Sequence, residues 1–464
     1  MRPPDDLIAA IATPIGEGGI AVIRMSGKGA IPAADRFFRG IGLLADVPSH
    51  TIHFGLFCAM NGEPLDEVVA SVFRSPHSYT GEDVVEISCH GGALLSRRIL
   101  HELVSGGART ADPGEFTRRA FMNGRIDLSQ AEAVAGMIHA RSEAFLRASL
   151  SQLRGRLSGH IAGIREGLLH LCGLLEIELD FAEENAIFIS REEIEKSILK
   201  TISLLDNLLD GYDKGRLYRE GVKIVLLGRP NVGKSSILNS LLNEERAIVT
   251  ELPGTTRDTI EESFRIQGIA CRLIDTAGIR ESRDIIEAEG IQRTMNELTS
   301  ADIILLVLSA TEAAGEDDVD LFGKMEAGRS DLERRSILVL NKIDLARTTP
   351  GVILSERFGE PVYVSAKTGE GMDALRQAIY HKAIGSDHGV PESDVALTNE
   401  RQKNCVVKGR DSLANALEAV RIGMSEEFIA LDIRKATDAL GEIIGSVRSE
   451  DVLDSIFSTF CIGK

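Results

Sequence analysis

The spacing of apolar and polar positions changes twice along the chain, and each change predicts a different kind of structure. From Met1 to Gly124 short apolar runs alternate with glycine-rich turns. Gly19–Arg24, Glu67–Phe73 and Asp83–Ser88 read as strands, and the apolar period between Leu94 and Leu103 reads as a helix. Residues 1–124 are therefore expected to form a small α+β domain. From Asp127 the period becomes helical. Ser129-Gln-Ala-Glu132 matches the capping-box pattern, in which hydroxyl and carboxylate satisfy reciprocal backbone N–H groups at a helix start. Ser190-Arg-Glu-Glu193 is a second such box, and leucine-rich stretches at 168–179 and 198–209 predict a helical bundle over 125–218.

At Gly221 the pattern turns to strand, loop and helix. Val222–Leu227, Cys271–Ile274, Ile303–Leu308, Ile337–Leu340 and Pro361–Val364 read as buried strands of a parallel, doubly wound sheet over 219–384. A polar linker, Gly385–Asp394, leads back to helix over 385–464. The economical fold is multidomain, α+β and α/β, with a helical domain interrupted by an inserted nucleotide domain of the Ras-like P-loop type. Two separate helical domains are the alternative.

Composition changes this picture little. A chain of 464 residues suits about three domains at roughly 150 residues each. With 52 basic and 70 acidic residues the formal charge is −18, which argues against broad wrapping of nucleic acid and gives no reason to expect DNA. Arg97-Arg98, Arg118-Arg119 and Arg147 with Arg154 and Arg156 read as solvated helix faces. The six scattered cysteines form no C-x-x-C pair and no apolar run reaches membrane length; a cytoplasmic protein without secretory leader or membrane contact is expected. His90 and His139 read as packed or capping histidines.

The chemistry lies in the α/β segment. Gly228-Arg-Pro-Asn-Val-Gly-Lys-Ser235 fits G-x-x-x-x-G-K-[ST] between a strand and a helix. Its backbone N–H groups, from Asn231 through Val232 and Gly233 towards Ser236, would cradle phosphates. Lys234 adds a point charge, and Ser235 reaches Mg²⁺. Asp275-Thr276-Ala277-Gly278 follows a strand and would meet the Mg²⁺ shell and the γ-phosphate. Asn341-Lys342-Ile343-Asp344 also ends a strand. The Asp344 carboxylate suits the paired N–H donors that guanine has and adenine lacks, while Ser365-Ala366-Lys367 would present an N–H to guanine O6. Between these lie Thr250, Glu251, Leu252, Pro253, Gly254, Thr255, Thr256, Arg257 and Asp258; one of Thr255 and Thr256, by preference Thr256, would bind Mg²⁺ alongside GTP. Ile279 stands where Ras-type enzymes place a water-orienting glutamine, so the attacking water must be organised otherwise.

The nucleotide motifs, their helical flanks, Ser78-Tyr-Thr-Gly-Glu-Asp83 and the tail Phe460-Cys-Ile-Gly-Lys464 together resemble one family over essentially the whole chain. It is the MnmE (TrmE) family of bacterial and organellar tRNA-modification GTPases. The resemblance implies a homodimer that joins the flavoprotein MnmG (GidA) in a heterotetramer. The assembly acts on the wobble uridine of tRNA and installs an aminomethyl or carboxymethylaminomethyl-type group at C5. It further implies a 5-formyl- or methylene-tetrahydrofolate donor held by Arg24, Glu82 and Arg125 with Lys464 nearby, Arg125 standing where some members have lysine. K⁺ would be bound by Asn231, Thr250, Leu252 and Thr255, and Glu287 would orient water, so that Glu287, Lys234 and Asn231 carry hydrolysis. Cys461 matches the family's C-terminal cysteine. Two other readings share the nucleotide motifs: a ribosome-assembly GTPase, which would ordinarily carry a basic RNA-binding segment, and a regulatory GTP switch with a protein-docking N-terminal domain.

Overall fold

The computed structural model describes residues 6–140, 142–180, 189–243, 261–267, 269–275, 301–312, 332–345, 352–384, 395–446 and 450–464. The chain forms two compact units: Met1–Ile138 with Ser149–Asp206 and Asn399–Lys464, and His139–Ala148 with Asn207–Thr398.

The first unit opens with β1 (Ile8–Ile11), β2 (Gly18–Ser26), α1 (Ala30–Asp35), β3 (Phe38–Gly40), β4 (Thr51–Cys58), β5 (Pro64–Phe73), β6 (Val84–Gly91), α2 (Ala93–Ser105), β7 (Arg109–Thr110) and α3 (Glu115–Met122). Among the described residues these strands form one sheet in the order β3-β4-β5-β6-β2-β1-β7. Ala21, Ile23, Met25, Val85 and Ile87 alternate inwards along their strands and bury against Ile99 and Leu103 of α2. The opposite face of β2 carries Arg24 and looks towards the chemistry described below. The basic pair in α3 divides: Arg118 is a surface ion-pair partner of Asp454, whereas Arg119 is largely buried among carboxylates, so this pair is not simply a solvated face.

Helices α4 (Leu128–Ile138), α5 (Glu143–Leu153), α6 (Arg156–Asp180) and α7 (Arg191–Glu220) follow. The box at Ser190 forms as expected, with Ser190 N donating to Glu193 at 3.0 Å and Glu193 N donating to the Ser190 hydroxyl at 3.3 Å. The box expected at Ser129 and Glu132 does not form. Asp127 and Gln130 exchange those bonds instead: Gln130 N donates to Asp127 Oδ1 and Asp127 N to Gln130 Oε1, both at 2.9 Å. Glu132 is occupied elsewhere, receiving Arg401 at 2.7 and 2.9 Å and Gln402 at 2.7 Å.

In the second unit β8 (Val222–Leu227), α8 (Lys234–Asn243), β9 (Glu261–Ile266), β10 (Ile269–Asp275), β11 (Ile303–Ser309), α9 (Leu332–Arg335), β12 (Ser336–Asn341), α10 (Val352–Phe358), β13 (Val362–Tyr363) and α11 (Met372–Ile384) alternate. The described sheet runs β13-β12-β11-β8-β10-β9, parallel except for β9, which pairs antiparallel with β10. β8, β11 and β12 are buried on both faces, as parallel strands covered by helices must be.

The chain then returns to the first unit as α12 (Glu400–Arg421), α13 (Glu426–Ile444) and α14 (Glu450–Ser458). Asn399 caps α12 through Gln402 N. Arg165 of α6 donates to the Thr437 carbonyl of α13 at 3.0 Å, and Cys172 and Ala430 meet between the same helices. The helical domain is thus assembled from both sides of the nucleotide domain. The six cysteines are free, five of them buried and Cys461 exposed. His90 is exposed and bonded to Asp66 at 2.7 Å, and His139 is exposed, so neither is packed. No described helix is long and apolar enough to cross a membrane.

Candidate nucleotide site and N-terminal site

At the end of β8 the backbone must leave the sheet without a side chain. A Cβ on Gly228 would lie 2.3 Å from the Val307 carbonyl oxygen. The loop then passes through Asn231, left-handed at φ 64°, before α8 begins at Lys234. Lys234 is buried, its Nζ donating to the carbonyls of Gly228 at 2.9 Å and Arg229 at 2.8 Å. Its charge is thereby fixed inside the ring of the loop, beside the N-terminal end of α8. Ser235 and Ser236 are exposed on the first turn of that helix.

The second half of the site is locked to the first. Asn341 ends β12, is 2 % exposed, donates from Nδ2 to Val232 O at 2.9 Å and accepts Ala366 N at 3.1 Å. A Cβ on Gly233 would fall 2.2 Å from that Nδ2, so only glycine allows the two loops to approach this closely. Lys342, itself at φ 71°, donates from Nζ to Asn231 O at 2.5 Å. Ile343 is buried in the sheet core and anchors the loop. Asp344 Oδ1 accepts the Ser365 hydroxyl at 2.8 Å, which fixes the carboxylate plane. Ser365 N in turn bonds Glu370 O at 2.8 Å and holds the Ala366–Lys367 turn beside it. Gly233, Ser236, Asn341, Lys342, Asp344 and Lys367 border an open cleft of about 680 Å³.

Asp275 is the last residue of β10 and lies in register with Leu226 of β8, at the level where the phosphate loop begins. Thr250, Glu251, Leu252, Pro253, Gly254, Thr255, Thr256, Thr276, Ala277, Gly278, Ile279 and Glu287 lie outside the described residues.

A second polar centre sits in the first unit. Arg24 donates from Nε to Glu86 at 2.8 Å and from Nη1 to Gly463 O at 3.3 Å. Its guanidinium lies 5.2 Å from the Tyr79 ring centre and 5.6 Å from that of Phe116. The C-terminal tail reaches this point because it is anchored. Phe457 and Phe460 pack with Phe121, and a Cβ on Gly463 would meet Ile11 O at 2.4 Å. Phe116 N bonds Lys464 O at 3.2 Å. Burial, and next the adjacent Arg24 guanidinium, push the Lys464 ammonium below its ordinary range.

Glu82 lies on the same side of β2 but in a separate network, accepting Ser26 Oγ at 2.7 Å and Arg119 at 3.3 Å. Arg125 is exposed beyond the end of α3. The structure thus brings Arg24 and Lys464 together and places Glu82 one strand position further along, whereas the Arg125 side chain makes no hydrogen bond or ion pair with any of them. Sequence reasoning missed Glu86, Tyr79, Phe116 and Arg119. Tyr79 lay within a motif already singled out; the others carry no local signal, since strand pairing and tail docking create their contacts.

Two family models match the chain: the GTP-binding protein TrmE N-terminus over residues 7–125 and the MnmE helical domain over 128–461. The tRNA modification GTPase MnmE of Chlorobium luteolum is 45% identical over 472 residues, covering 100% of this chain and 99% of that protein. The proteins of the same name from Moorella thermoacetica and Aquifex aeolicus are 44% and 42% identical, covering 99% and 100% of this chain and 100% of each relative. Among solved structures, the G domain of the T. maritima FeoB iron transporter is 30% identical, covering 35% of this chain and 98% of its own with a TM-score of 0.27. A point variant of Aquifex aeolicus Era bound to GDP·AlF4⁻ is 26% identical, covering 41% of this chain and 66% of its own, with a TM-score of 0.28. Full-length relatives, together with models that meet near residue 126, make one assignment: the chain belongs to the MnmE (TrmE) family of tRNA modification GTPases.

Proposed function

We propose that this protein hydrolyses GTP and uses the resulting conformational cycle to support modification of the wobble uridine of tRNA at C5. It would act as a homodimer and with a flavoprotein of the MnmG type. The observation that carries the GTP reading is the interlock of the Asn341–Asp344 loop with the phosphate loop, through Asn341 to Val232 and Lys342 to Asn231. Asp344 and the phosphate cradle then border one cleft, so base identity and phosphate grip are read together.

The chain's own groups supply most of the binding. The first turn of α8 and Lys234 offset phosphate charge, Asp344 accepts from the guanine edge, and the Lys342 stem covers the ring. The exposed Ser235 hydroxyl suits a cation held mainly by phosphate oxygens and water, and Thr256 would be its second protein ligand. Mg²⁺ bound there would neutralise charge on the β- and γ-phosphates. The exposed, left-handed Asn231 offers a side-chain amide oxygen of the kind K⁺ takes, its backbone carbonyl being taken by Lys342. With Thr250, Leu252 and Thr255 it would place that cation's charge beside the β–γ bridge. Glu287 would orient the water that Ile279 cannot.

In the first unit Arg24, Lys464 and Glu82 offer cations and a carboxylate on one side of β2, with Tyr79 and Phe116 as aromatic walls. This combination fits a reduced folate, which carries an aminopyrimidinone ring and a glutamate tail. The exposed Arg125 would meet the tail. The domain boundaries that follow are 1–124, 125–218, 219–384 and 385–464. Mass spectrometry of wobble uridines in cells lacking the protein tests the function: the modified base should disappear, and an unchanged spectrum rejects the assignment.

A further inference from the structure

Within Ser78–Asp83, Glu82 is held by a closed circuit of hydrogen bonds. Ser26 Oγ donates to Glu82 Oε2 at 2.7 Å. That uses the only hydroxyl hydrogen of Ser26, so in the 2.7 Å contact between Ser26 and Thr80 the Thr80 hydroxyl is the donor. Thr80 Oγ1 in turn accepts the backbone N–H of Glu82 at 3.2 Å, which closes the ring on the residue where it began. Ser26 and Thr80 are both fully buried, at 0% exposure, whereas the Glu82 side chain keeps 16%.

The rest of the loop is fixed around this ring. Ser78 Oγ donates to Glu82 O at 2.5 Å, Asn123 Nδ2 donates to Thr80 O at 2.8 Å, and Gly27 N donates to Asp83 O at 3.1 Å. Arg119 approaches both carboxylate oxygens at 3.3 Å from the other side. Oε2 is therefore shared between Ser26 and Arg119, while Oε1 has only the long Arg119 contact among the described residues. Two buried hydroxyls spent on aiming one partly exposed carboxylate exceed what a surface glutamate needs for stability.

We propose that Ser26 and Thr80 are positioning residues, which orient the Glu82 carboxylate so that it receives the paired N–H donors of an aminopyrimidinone ring, one on each oxygen, with Oε1 the less occupied of the two. The proposal rests on the reduced-folate reading of this site. Neither hydroxyl touches the ligand; each acts through Glu82. Loss of either lets the carboxylate rotate and costs affinity only while Glu82 can accept.

The test is binding of 5-formyltetrahydrofolate to the full-length protein by calorimetry, for wild type, Ser26→Ala, Thr80→Val, Glu82→Gln and the doubles with Glu82→Gln. Thr80→Val keeps the side-chain shape and serves if Ser26→Ala does not fold; GTP turnover, which uses none of these residues, reports that the chain is intact. Each single hydroxyl variant should bind about tenfold more weakly, and neither should weaken binding further in the Glu82→Gln background. Independent, multiplying losses, or no loss in the single variants, would overturn the positioning role while leaving the folate reading in place. Absence of binding by the wild-type protein would overturn both.

Discussion

Asn341 reaches out of the base-reading loop and donates to the carbonyl of Val232 in the phosphate loop at 2.9 Å, while its own carbonyl accepts Ala366 N. One buried side chain thus joins three loops that are distant in sequence. Asn341→Ala leaves the buried Val232 carbonyl and the half-buried Ala366 N–H without these bonds, a buried group so stranded costing about 1–3 kcal/mol. GDP affinity should fall by about a hundredfold or more, measured by displacement of a fluorescent analogue. An unchanged affinity would mean that the loops hold together without it.

Asp344 accepts Ser365 through Oδ1 and keeps its other oxygen for the base. Asp344→Asn retains the Ser365 contact but turns one acceptor into a donor, which clashes with the guanine N–H pair and suits the oxygen that xanthine carries instead. Preference should shift from GTP to xanthosine triphosphate, on the order of a hundredfold in relative kcat/KM. Equal selectivity in variant and wild type would move base reading to another residue.

The described loops of the nucleotide site are legible because they are local: Gly228–Ser235 and Asn341–Asp344 each follow a strand, and Gly228 and Gly233 are demanded by close backbone approaches. Non-local contacts were not legible. Ser129 and Glu132 have the spacing of a capping box, yet Glu132 is taken by Arg401 and Gln402, so Asp127 and Gln130 cap α4 instead. The strand β9, Glu-Glu-Ser-Phe-Arg-Ile, shows no apolar run because it is an edge strand of the sheet among the described residues, and Phe264 and Ile266 alternate into the core. Arg119 looked like half of a basic surface pair, and only the docking of α3 against the N-terminal strand shows why it is buried.

Asn231 is held with a left-handed backbone and an exposed side chain at the mouth of the phosphate loop. If it helps to bind K⁺, GTP turnover should rise by at least tenfold when K⁺ replaces Na⁺, an effect worth about 1.4 kcal/mol. Asn231→Ala should erase that difference. Glu287→Ala should lower turnover with GTP affinity kept. Steady-state rates in the two salts, with nucleotide titrations, check all three outcomes.

Arg401 grips Glu132 with two bonds and also reaches the carbonyls of Glu442 and Ile443 at the end of α13. Removing one partner of a buried pair strands the other charge, at a cost of about 3–5 kcal/mol. Arg401→Met should therefore lower the denaturation midpoint substantially. The double variant Arg401→Met with Glu132→Met should recover much of the loss, because no unpaired charge remains. Failure of the double variant to recover would show that Arg401 matters chiefly as the cap of α13.

Glu115 connects this protein's stability to acid. Burial by itself would raise its carboxyl, but bonds from Arg109, the Asp112 N–H and Arg119 outweigh burial and bring it down to about 2 from an ordinary 4.5. Asp6, bonded to the same two arginines, is also lowered. The folded state thus binds fewer protons than the unfolded chain in this window. The stabilisation is fully present above pH 4.5 and drains away as pH falls towards about 2. At about 1.4 kcal/mol per unit, a drop from 4.5 to about 2 gives Glu115 a contribution on the order of 3–4 kcal/mol at neutral pH. Glu115→Gln should lower the urea midpoint at pH 7, yet lose less on going to pH 3 than the wild type does. Parallel losses in the two proteins would place the acid-sensitive group elsewhere.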